Sequence, residues 1–166
     1  MTFGFRSRKL RWRDMSDSAP RIEFEIGPLR LAVLGWAYPK AQTDWDADRL
    51  IVEAVCIGTR SRVEARGDIM PALAFRRFSA ALKQMHVTLI GEACLETYDP
   101  DLKLELRISD GLGHISGRVE ISSAYDSERH SFEFSGLDQT DLPKLIAQIS
   151  NLTSTYPSAL VTRDGV

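Results

Sequence analysis

Leu102-Lys103-Leu104-Glu105-Leu106-Arg107-Ile108-Ser109 alternates without a break between an aliphatic residue and a polar one. A period of two puts all four aliphatic side chains on one face of an extended strand and the charges on the other. After Gly111-Leu112-Gly113, the residues Ile115, Val119 and Ile121 alternate in the same way with Ser116, Arg118, Glu120 and Ser122. Two half-buried runs joined through a glycine turn predict an antiparallel hairpin with one greasy face to be covered.

The pattern extends in both directions. Downstream, Phe132 and Phe134 set against Ser131, Glu133 and Ser135 supply a further strand, and upstream residues 91–98 (Gly-Glu-Ala-Cys-Leu-Glu-Thr-Tyr) supply the one before the hairpin. The second half therefore reads as a meander. In the first half, Ile22, Phe24 and Ile26 oppose Glu23 and Glu25, Gly27-Pro28 turns the chain, and Leu29 to Trp36 returns. Residues 37–48 read as a long exposed loop carrying Tyr38 and Trp45. Leu50 to Ile57 is apolar on both faces except at Glu53, as a covered central strand would be. Arg62, Glu64 and Arg66 then alternate with Val63 and Ala65.

Two helices break the strand pattern. Asp68 and Pro71 look like the entry to one over about 70–86, with Phe75, Phe78, Leu82 and Met85 on one face. Thr140 looks like the N-cap of another over about 141–155, with Leu142, Leu145, Ile146, Ile149 and Leu152 as its stripe. Strand runs joined by hairpins, without regular strand-helix alternation, predict an α+β fold. The expectation is a single domain over 21–160, mainly antiparallel β-sheet of seven to eight strands, with a basic disordered leader over 1–20 and a short tail over 161–166.

Composition narrows the function classes. The chain has 166 residues, 43% hydrophobic and 27% charged, with a net charge of -2. At this length a core forms without metal or disulfide staples. That balance argues against a general nucleic-acid binder, and no apolar run approaches the ~18–20 residues of a membrane span. Charge is unevenly placed, however. The leader holds Arg6, Arg8, Lys9, Arg11 and Arg13 against two acids, a net of +3, which leaves -5 on the other 146 residues. Weak nucleic-acid contact is expected of those five bases alone. Asp14-Met15-Ser16-Asp17 stands where a signal peptide would have its apolar segment, which argues against export and for a cytoplasmic protein. Met15 is itself a candidate start. Cys56 and Cys94 lack C-x-x-C spacing and read as two small buried thiols.

No constellation in the sequence announces catalysis. His86, His114 and His130 are far apart, with no spacing suited to a metal. Gly111-Leu112-Gly113 precedes a strand, whereas a phosphate loop needs a helix N-terminus there. No cofactor or metal is expected. The most distinctive cluster is Asp44-Trp45-Asp46-Ala47-Asp48. It lacks the glycine and distal glutamate of a calcium loop. Two readings compete: Trp45 tucked into the sheet edge among solvated acids, or a partner-binding surface of Asp44, Trp45, Asp46, Asp48 and Tyr38 that steers in a basic protein.

The order of elements is familiar. Leu31-Ala-Val-Leu-Gly-Trp-Ala-Tyr-Pro39, Asp44-Trp45 before Leu50-Ile-Val, and Gly91-Glu-Ala-Cys-Leu-Glu96 resemble the WapI-type immunity proteins of bacteria. Phe132-Glu-Phe134 followed by Leu137-Asp-Gln-Thr-Asp-Leu-Pro-Lys-Leu-Ile-Ala-Gln148 is the most similar stretch. The resemblance spans about residues 22–156. It implies a non-enzymatic cytoplasmic antidote that binds the toxic domain of a contact-delivered polymorphic toxin, and it carries over no catalytic residue. The rival expectations are a general interaction module or a homodimer through an exposed sheet edge, and a small-molecule-binding or hydrolytic domain.

Overall fold

The 102–122 alternation becomes two antiparallel strands in a register that sets Leu104 opposite Val119 and Leu106 opposite Gly117. The computed structural model describes residues 20–97, 101–108, 110–122 and 128–160. In chain order the elements are β1 (Ile22–Ile26), β2 (Leu29–Trp36), α1 (Asp44–Ala47), β3 (Arg49–Ile57), β4 (Arg62–Pro71), α2 (Ala72–Thr88), β5 (Gly91–Glu96), β6 (Leu102–Ile108), β7 (His114–Ser122), β8 (Arg129–Asp138) and α3 (Leu142–Thr155). The fold is α+β, with eight strands among the described residues, all paired antiparallel.

The strands divide into two four-stranded meanders, β1-β2-β3-β4 and β5-β6-β7-β8, with α2 as the link between them. Each sheet turns one face to a shared core. Phe24, Leu31, Val33 and Val52 from the first meet Leu95, Leu104, Leu106 and Val119 from the second, together with the α2 and α3 stripes. Phe24 stands edge-on to Phe75 of α2 at 6.4 Å between ring centroids. The two helices pack on each other, α2 against β5 and α3 against β1. Burial of this continuous apolar set is the main favourable term in folding.

The sheets are also clamped at their rim. A Cβ on Gly117 or on Gly27 would fall inside 3.0 Å of the Phe134 ring, so both glycines leave room for that ring. Gly27 has φ +52 as well, a conformation that a side chain disfavours. Phe134 of β8 thus reaches from the second sheet to the β1–β2 turn of the first.

Four local expectations are corrected. Asp68 does not cap α2: β4 continues through Pro71, paired opposite Arg49, and the helix starts at Ala72. Thr140 does not cap α3, because its amide and hydroxyl both bond Asp138 Oδ1, at 2.7 and 2.6 Å, and Asp141 takes the cap position. The 37–48 loop contains one helical turn, α1. Cys94 lies on the exposed face, while Cys56 is buried, and both thiols are free. Arg6, Arg8, Lys9, Arg11 and Arg13 lie outside the described residues, as do Met15 and the 161–166 tail.

Candidate functional site

The loop between β2 and β3 is built from the cap inward. Thr43 is extended and accepts a hydrogen bond from the Asp46 amide at 3.2 Å, while its hydroxyl donates to the Asp46 carboxylate at 2.8 Å. This reciprocal cap stabilises a single turn that four residues would not hold alone. Asp44 and Asp46 lie in its first turn, where the helix dipole favours negative charge. Trp45, between them, is 61% exposed. It is therefore not tucked into the sheet edge.

Tyr38 stands at the other end of the loop, 42% exposed, with its hydroxyl donating to the Asp68 carboxylate. That bond, then partial burial, raises the phenol's pKa, so Tyr38 stays neutral through the physiological range. Arg49 donates to the Asp68 carbonyl at 3.0 Å and ties the two strand ends together beneath it. Ala37, Tyr38, Pro39, Lys40, Ala41 and Asp46 line an open concavity of about 580 Å³.

Asp48 is separated from the others by the direction of its side chain. It is fully buried. Its Oδ2 accepts from the Leu73 amide and its Oδ1 from the Ala159 amide, both at 3.0 Å, while its carbonyl accepts from Ala72 at 2.8 Å. The first amides of α2 are thus capped by a residue two elements upstream. Asp44, Trp45, Asp46 and Tyr38 are exposed, with Tyr38 and Asp46 lining the same concavity, whereas Asp48 is buried beneath the turn. Sequence reasoning missed this because partners at positions 73 and 159 leave no local spacing signal. The concavity adds Lys40, which the acid-centred reading passed over.

Other clusters are less suited to a site. Across the outer face of the second sheet, Cys94, Glu105, Arg118 and Glu133 stand opposite one another in a row, over a concavity of about 620 Å³. Arg118 bonds Glu133 at 2.7 Å and Lys103 bonds Glu105 at 2.7 Å, so these charges neutralise each other. The Cys94 thiol is pushed up to about 11, by partial burial first and the neighbouring Glu96 charge second, which suppresses its nucleophilic form. At the β6–β7 turn, His114 Nδ1 meets the Asp110 carboxylate. The Leu112 amide and then His114 hold Asp110 below the usual carboxylate range. Among the described residues, no group of three or more His, Cys, Asp or Glu is placed to hold a metal ion. Nor is any described helix long and apolar enough to cross a membrane.

Fold and loop together define a class: a two-sheet α+β protein that displays an acidic, aromatic turn on a rigid base. The chain belongs to the immunity protein WapI-like family, whose sequence model matches residues 21–157. No curated protein matches it. Among solved structures, the crystal structure of WHY3 from Arabidopsis thaliana is similar at 10% identity and a TM-score of 0.42, covering 86% of this chain and 90% of that one.

Proposed function

We propose that this protein is a non-enzymatic immunity protein that works in the cytoplasm by binding and occluding the toxic domain of a polymorphic, contact-delivered toxin. Membership of the immunity family supports the class of activity. The observation that carries the choice of surface is the outward indole of Trp45, flanked by Asp44 and Asp46 on a capped turn.

A large aromatic held on a fixed backbone loses little freedom on binding and desolvates well, the character of an interface hot spot. The flanking carboxylates complement a basic partner, raising its rate of encounter more than its final affinity. Tyr38, fixed by Asp68, extends the contact along the concavity. Asp48 contributes by holding the turn in place from inside. The experiment is direct: the purified chain is mixed with the toxin domain encoded beside it. A stable complex with lost toxicity supports the reading, and no association with toxicity intact overturns it.

A further inference from the structure

Strand β8 is the outer strand of the second sheet, hydrogen-bonded to β7 on one side. Its solvent-facing residues end a cross-strand row in which sign alternates: Glu105 opposite Arg118, Arg118 opposite Glu133. The Glu133 side chain is 72% exposed at the sheet's rim, and among the described residues only its Oε1 is taken, by Arg118. A cation is the residue that would continue the row.

We infer that the β8 edge is a self-association surface, on which a second copy of this chain pairs antiparallel through its own β8, with Ser131 at the two-fold axis. In that register Arg129 of the second copy stands opposite Glu133, and symmetry repeats the pair on the other side. The row then reads Glu105, Arg118, Glu133, Arg129 across the two copies, and the two meanders join into one eight-stranded sheet. Arg129 already engages its own chain, and its guanidinium has five N–H donors to share. Neighbouring registers lose this match. An axis at Glu133 sets that acid against itself, and an axis at Phe132 leaves Arg129 opposite Ser135.

The other edges are less suited. The charged positions of β5 are Glu92 and Glu96, and those of β1 are Glu23 and Glu25, so neither strand has a cation to offer a copy of itself. The fourth edge, β4, comes into contact with β7 of the other sheet. Exposed edges are normally guarded by charge, and on β8 the guard is self-complementary.

One ladder of five residues, 129–133, makes a small interface of the weak, transient class. The test is sedimentation equilibrium of the full chain from about 10 μM to 1 mM, with folding checked by circular dichroism. The expected result is a reversible monomer–dimer equilibrium. Arg129→Glu should weaken it roughly tenfold or more by putting like charges opposite each other twice, and Arg129→Glu with Glu133→Arg should restore most of the loss. A wild-type chain that stays monomeric throughout overturns the inference, whatever the variants do. So does a dimer indifferent to Arg129→Glu, or a monomer whose β8 variants fail to bind the toxin domain, which would assign the edge to that partner instead.

Discussion

Asp48 and Leu73 lie 25 residues apart and are joined inside the protein by a 3.0 Å hydrogen bond from the Leu73 amide to the Asp48 carboxylate. The other oxygen of the same carboxylate takes the Ala159 amide. One side chain therefore fastens the base of the α1 turn to the start of α2 and to the segment after α3. The surface of the turn is positioned by a group that never reaches solvent.

Asp48→Ala should cost about 2–4 kcal/mol in urea unfolding, because it strands buried amides and leaves a void. Asp48→Asn keeps the shape but points an NH₂ at one amide, and should still cost about 1 kcal/mol or more. A change below 0.5 kcal/mol in the alanine variant, roughly the effect of an ordinary surface substitution, would contradict the anchoring role.

The acids of α1 should act on encounter. Asp44→Asn with Asp46→Asn keeps an acceptor for the Thr43 hydroxyl and removes both charges. The association rate with a basic toxin domain should fall about 3–10-fold at low salt, with little change in dissociation, and the difference should fade as ionic strength rises. Stopped-flow mixing across a salt series measures this. An effect confined to dissociation would argue against steering.

The rim clamp predicts an overpacking penalty. Gly117→Ala drives a methyl into the Phe134 ring and should destabilise by about 1–3 kcal/mol, while Phe134→Leu in the same chain should recover part of it. Gly27→Ala should cost at least as much, since it adds the left-handed backbone to the same clash. Thermal unfolding of the three variants beside the parent settles the order.

Cys56 provides a pH test. Burial pushes its thiol up to about 11 from an ordinary value of 9.0. Between those values the unfolded chain releases the proton and the folded one keeps it, so the folded state binds more protons and stability falls as pH rises. Below pH 9 the thiol contributes its full packing. The destabilisation caused by Cys56→Ala should therefore shrink between pH 9 and pH 11, as read by urea unfolding at several pH values. A constant difference would mean that the thiol titrates normally in the fold.

Much of this was legible where the signal was local. The strict alternation of 102–109 set a strand and its inward face, and the steps of three and four from Phe75 to Met85 set the buried side of α2. Cys94 shows the limit of residue-type expectations. Its even spacing with Glu92 and Glu96 already placed it on the wet face, yet a cysteine's general tendency to be buried suggested otherwise. Asp68 and Thr140 had the chemistry of caps in the right neighbourhood. Strand pairing carried β4 past Asp68, and a local Asp138 bond took Thr140. In the 44–48 cluster, composition marked the stretch, but only long-range contacts separate the inward Asp48 from the outward Asp44, Trp45 and Asp46.

The central claim is recognition through a displayed turn, and calorimetric titration of the purified chain against the proposed cognate toxin domain tests that claim most directly. The account predicts a saturable complex with one toxin domain per chain. Trp45→Ala should weaken it by about 2 kcal/mol, roughly thirtyfold, while urea unfolding of the variant stays within about 0.5 kcal/mol of the parent. Absence of heat and of complex at any concentration, or a complex untouched by replacing Trp45, Asp44 and Asp46 together, would contradict it.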